Sequence, residues 1–113
     1  MPKYTLLFLG RDQDLESGSN DEMRRMYASV GTWWEDLEKK GVIKEGAQLG
    51  PQRSATAVRR VNGKMTVREG PLFASDERVG GVALVEVTDL DAAIAIAKSW
   101  PAGDVEVRPI VEH

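Results

Sequence analysis

Glu69 opens a Glu-Gly-Pro turn, and a carboxylate held against so stiff a loop could exchange a proton or orient a ligand amine or water. The same side chain could instead accept backbone N–H groups of its own turn, a common task for acidic side chains in loops. Asp76, Glu77 and Arg78 follow closely and could clamp a polar ligand, or form an exposed charge cluster. Arg108 sits between Val107 and Pro109 in a strand-like run, on the side opposite Val107. A guanidinium projecting from a sheet can grip a carboxylate with two parallel N–H bonds. The alternative is a structural pair with Glu106, Glu86 or Glu69, because interior arginines are normally paired. Glu69 is thus the one candidate acid or base, and Glu77, Arg78 and Arg108 are the candidate ligand-binding residues. If Glu69 and Arg108 face the same space, they are expected to pair or to share a ligand.

Other chemistries lack their residues. His113 is the only histidine and ends the sequence, where chains commonly fray, and there is no cysteine. No Ser-His-Asp set can be assembled without an internal histidine. Nor is there a thiolate, histidine or calcium-loop ligand set, so neither a metal nor a cofactor is expected. Gly80-Gly81 leads into a strand, so it lacks the helix N-terminus of a phosphate cradle. The formal charge of -3, from 15 basic and 18 acidic residues, argues against a nucleic-acid partner. Arg53, Arg59, Arg60, Lys64 and Arg68 form a local basic run, read as a solvated strand face, with a phosphate-binding patch as the alternative. No stretch approaches the roughly 20 apolar residues of a membrane span, and Tyr4–Leu9 is too short for a leader's apolar core. The expected setting is the cytoplasm, with no membrane partner.

The elements that must position these side chains follow from period and punctuation. Lys3–Leu9 is a short run rich in aromatic and branched residues, apolar on both faces, and reads as a strand covered on both sides. Ser19 and Glu22 have the spacing of a capping box. Met23, Met26, Tyr27, Val30, Trp34 and Leu37 then step by three and four along a helix that Gly41 ends, leaving Trp33 off the centre of the stripe. Gly46 to Pro51 reads as a turn-rich link. Ser54–Val61 and Lys64–Arg68 flank Asn62-Gly63, a strong hairpin signal. Gly70-Pro71 and Gly80-Gly81 bound a loop before a second doubly apolar strand, Val82–Val87. Thr88 or Asp89 should cap a short helix with Leu90, Ala93, Ile94 and Ala97 inward, and Val105–Val111 closes as a strand. Residues 1–113 therefore read as one α+β domain with a ferredoxin-like layout.

Taken in order, these pieces resemble one family. Glu69-Gly70-Pro71-Leu72-Phe73, a polar stretch, Gly80-Gly81 and a strand resemble the signature of YCII-related proteins of the DGPF (DGPFAETKE) type. Leu37 through Gly41-Val42, the hairpin region, Asp89-Leu90-Asp91-Ala92-Ala93 and Val105 to Ile110 are similar to further family stretches, so the likeness runs nearly end to end. Two departures stand out. The family's loop aspartate is Glu69 here, and its phenylalanine is Leu72, with Phe73 one place later. The His and Asp pair of the broader group has no internal histidine to form it.

The resemblance implies a homodimer, a dimeric α/β barrel with two sheets facing each other. The residues point the same way, since an uncovered apolar sheet face would be larger than the patches monomers normally expose. The primary functional expectation is a small-molecule-binding homodimer with a pocket between or beside the sheets. The resemblance also implies two alternatives: an enzyme of lyase or dehalogenase type with Glu69 as acid or base, and an interaction module associated with sigma-factor regulation.

Overall fold

A computed structural model describes residues 1–11, 20–73 and 75–113. The elements run β1 (Lys3–Arg11), α1 (Asn20–Lys39), β2 (Ile43–Gln48), β3 (Thr56–Val61), β4 (Lys64–Glu69), β5 (Glu77–Glu86), α2 (Leu90–Lys98) and β6 (Asp104–Pro109). Four of the strands form an antiparallel sheet in the order β2-β5-β1-β6, and β3 with β4 forms a separate hairpin. Without that hairpin, the order is compatible with the expected ferredoxin-like layout. The signature loop and the hairpin are both inserted between β2 and β5.

Alternation along the strands divides the sheet into two faces. Tyr4, Leu6 and Phe8 of β1, with Ala83 and Val85 of β5, are buried beneath the helices, and Trp33, Trp34, Leu37, Ala92 and Ile96 pack against them. Leu6 and Val85 are fully buried, each contributing about 1.5–3 kcal/mol relative to exposure. Phe8 is the hub of an aromatic cluster: it stacks on Trp100 at 4.1 Å between centroids and meets Trp33 edge-on at 5.9 Å. Trp33, off the centre of its stripe, is tied inward by its indole N–H donating to Ser99 Oγ at 2.8 Å. The ring of Trp34 lies against Gly46, where a Cβ would overlap it.

Helix ends follow local chemistry. Gly41, at φ 73, follows α1; its N–H donates to the Glu38 carbonyl and the Val42 N–H to the Leu37 carbonyl, a Schellman closure. Asp89 caps α2 by accepting from the Ala92 N–H at 2.9 Å. The expected Ser19–Glu22 capping box involves Ser19, which lies outside the described residues.

Several expectations are corrected. Residues 46–48 belong to strand β2, not to a link. Only Ile43 of β2 is buried, so β2 has no alternation of its own and owes its form to pairing with β5. Strand β5 begins at Glu77, before the two glycines; Phe8 pairs with Gly81 and Leu9 with Val79, leaving Gly80 as a bulge. The closing strand stops at Pro109, and Val111 is exposed. Tyr27 and Leu90 are also exposed, because only the second half of α1 reaches the core and α2 turns Ala92, Ala93 and Ile96 inward. An almost wholly apolar run such as Ala92–Ala97 cannot choose its face by period alone.

Candidate functional site

The outer face of the sheet carries Leu7 and Leu9 of β1 and Val82 and Leu84 of β5, with neither α1 nor α2 over them. Register places Glu45, Glu86, Asp104 and Glu106 on that face, with Lys3 and Arg108. Arg108 Nε donates to Glu106 Oε2 at 2.6 Å, and the Arg108 side chain is 69% exposed. Arg108 is therefore a surface member of an i, i+2 pair on an open sheet face within one chain, rather than an interior residue. Glu86 lies 3.8 Å from the N-terminal amine.

The hairpin that follows β2 also has two faces. Its turn is Asn62-Gly63, at φ 49 and 79, the paired left-handed conformation that a two-residue hairpin turn of type I′ requires. The resulting register sets Ala57 opposite Arg68, Arg59 opposite Thr66 and Val61 opposite Lys64 on one face. Thr56 opposite Glu69, Val58 opposite Val67 and Arg60 opposite Met65 occupy the other.

On the first face the signature loop turns back over the strands. The Gly70 N–H donates to the Ala55 carbonyl at 2.8 Å, and Gly70 adopts φ 100, a conformation that favours glycine. Arg68 Nη2 then donates to the Pro71 carbonyl at 3.2 Å, and Arg59 Nη2 to the Leu72 carbonyl at 3.4 Å. The Thr66 hydroxyl donates to the Arg59 carbonyl at 3.0 Å. Ala57, Arg59, Thr66, Arg68 and Leu72 enclose an open-sided cleft of about 450 Å³. Each guanidinium uses one of its five N–H groups on the loop, so further donors remain to meet an anion, while Ala57 and Leu72 supply an apolar wall.

Glu69, the candidate acid or base, is exposed on the opposite face of the hairpin from this cleft. It makes no hydrogen bond or ion pair with Arg108 among the described residues, so the expected shared site is not formed within one chain. Glu77 is exposed at the start of β5, and its N–H donates to Ser75 Oγ at 3.1 Å. Arg78 is half-buried opposite Gly10, with its guanidinium over Gly80, where a Cβ would strike it. Among the described residues, no group of three or more histidine, cysteine or carboxylate side chains is placed to hold a metal ion.

The sequence groups Arg59 and Arg68 in a basic run, with a phosphate-binding patch as one reading, but does not by itself bring the two into a cleft. Once Asn62-Gly63 fixes a two-residue turn, counting outward places Arg59 beside Thr66 and Ala57 beside Arg68. The missing piece was the loop's return over that face.

With this architecture in view, comparison with known proteins is specific at the level of family. The model of the YCII-related domain matches residues 3–113, and the chain belongs to that family. Among curated proteins it is similar to Uncharacterized protein R00369 of Rhizobium meliloti (strain 1021), with 24% identity over 112 residues, covering 95% of this chain and 90% of that protein. No helix among the described residues is long and apolar enough to cross a membrane.

Proposed function

We propose that this protein is a small-molecule-binding homodimer whose ligand is an organic anion. The observation that carries the anion is the Arg59–Arg68 cleft, in which two guanidiniums are pinned by loop carbonyls beside an apolar wall. Pinning lowers the ordering cost of binding, since the side chains already hold their positions. The dimer is supported by the outer sheet face, where Leu7, Leu9, Val82 and Leu84 have neither helix over them. In a dimer of facing sheets, Arg108 and Glu106 would border the enclosed space, with Glu77 and Arg78 at the loop end of β5 as further polar contacts.

The enzymatic reading needs a partner for Glu69, and no hydrogen-bonded base or acid accompanies that side chain among the described residues. For an interaction module, exposed Trp33 and Trp100 would be the natural contact; instead both pack around Phe8. The small-molecule reading is therefore the better supported.

Thermal denaturation with a panel of aliphatic and aromatic monocarboxylates, with inorganic phosphate alongside, tests the ligand class. A carboxylate at about 100 times its Kd should stabilise the fold by about 2.7 kcal/mol. Arg68→Gln should abolish the shift. Absence of a saturable shift with every probe, or an unchanged shift in Arg68→Gln, contradicts the reading.

A further inference from the structure

On the helix side of the sheet, α1 and the residues that follow α2 enclose a second open-sided cleft of about 440 Å³, a size within the range of small-molecule sites. It shares no lining residue with the Arg59–Arg68 cleft. Ser29, Thr32, Trp33 and Asp36 supply one wall, at the steps of three and four that put side chains on one face of a helix. Ser99 and Pro101 supply the other. The Trp33 indole N–H donates to Ser99 Oγ at 2.8 Å, and the Ser99 hydroxyl donates to the Ile96 carbonyl at 2.6 Å. The two walls are thus tied together, and both of those donors are spent.

What remains is acceptor capacity and a single sign of charge. Asp36 is the one charged residue of the lining. Among the described residues its carboxylate makes no hydrogen bond or ion pair, although Lys40 stands four residues further on. Ser99 is also the C-cap of α2, the helix end where backbone carbonyls concentrate partial negative charge. Lys98, in the last turn of α2, is exposed and does not line the cleft. An anion would meet a carboxylate and a helix end of its own sign. An ammonium would meet both as partners, with the Ser29 and Thr32 hydroxyls free to turn their oxygens toward it.

We infer that this cleft binds a small organic ammonium. Its N–H groups bond to Asp36 and to the Ser29 or Thr32 hydroxyl, and its apolar body lies against Pro101 and the half-buried Trp33. A cation beside an indole gains further attraction from the ring. The inference goes beyond the anion site proposed above and does not depend on it. The chain then carries two small-molecule clefts of opposite charge preference, one on the hairpin and one beside the helices.

Benzylammonium chloride titrated into 15N-labelled protein at constant ionic strength tests this, with benzyl alcohol and benzoate in parallel. The expected result is a saturable shift of the Trp33 indole N–H and of the Ser29, Thr32, Asp36 and Ser99 amides with benzylammonium. Benzyl alcohol should bind more weakly, and benzoate should leave these signals in place. Shifts at Arg59 and Arg68 with benzoate would report the other cleft, so the two proposals succeed or fail separately. Asp36→Asn, confirmed folded by its near-ultraviolet circular dichroism, should weaken benzylammonium binding by about threefold or more, the scale of an exposed charge contact. No saturable shift at these positions overturns the inference. So does benzyl alcohol or benzoate binding there as tightly as benzylammonium, or an unchanged affinity in folded Asp36→Asn.

Discussion

The four-stranded sheet and the β3–β4 arm are built from similar raw material, with alternating branched residues and short turns, yet they stand in opposite situations. In the sheet, Leu6 and Val85 lie fully buried under two helices and an aromatic cluster. In the arm, the paired Val58 and Val67 face solvent. Strand-forming sequence therefore does not define a core; a second layer does. Among the described residues, the sheet finds that layer on one face, while its other face and the arm do not.

The contrast is sharpest in core truncations. Leu6→Ala should lower unfolding free energy by about 2–5 kcal/mol, the range for buried large-to-small changes. Val67→Ala, measured under dilute monomeric conditions, should stay within about 0.5 kcal/mol of the parent, as exposed substitutions do. Equal costs in chemical denaturation would mean that the arm already has its cover within one chain. Next in size is Gly46→Ala, in which a new methyl group must displace the Trp34 ring, at about 1–3 kcal/mol. Altered tryptophan fluorescence should accompany the loss, and an unchanged spectrum with unchanged stability would remove Trp34 from its assigned place.

Arg108→Leu should cost less than about 1 kcal/mol in the monomer, because its pair with Glu106 is solvent-screened. A cost of several kcal/mol would instead place the pair in a buried environment. Smallest of all is the response to chelation. Ethylenediaminetetraacetate should leave the Tm unchanged, and a clear drop would reveal a bound cation that contributes to folding.

How much was legible in the sequence follows the same division. The first strand, the α1 helix and the Asn62-Gly63 hairpin announce themselves through local chemistry, and each is found where its residues place it. Strand β2 was illegible because its Ile-Lys-Glu-Gly-Ala-Gln sequence carries no period, and its form comes from β5 alongside. Gly80-Gly81 read as a loop boundary because a bulge inside a strand uses the same residue as a turn. Among candidate residues, the alternative reading of Arg108 as a partner of Glu106 is found, whereas Glu69 and Arg108 are not brought together within one chain. The Arg59–Arg68 cleft depends on a loop folding over a hairpin face, a tertiary fact that neither propensity nor spacing contains.

The central proposal is that a second copy covers the sheet face that α1 and α2 leave open, and amide hydrogen exchange across a dilution series tests it most directly. Residues of β1 and β5 in the covered core should exchange slowly at every concentration. Amides of the edge strand β6 should become more protected as concentration rises, in step with the mass from light scattering. A protein that stays monomeric throughout would contradict the account, as would β6 amides left unchanged in a fully formed dimer.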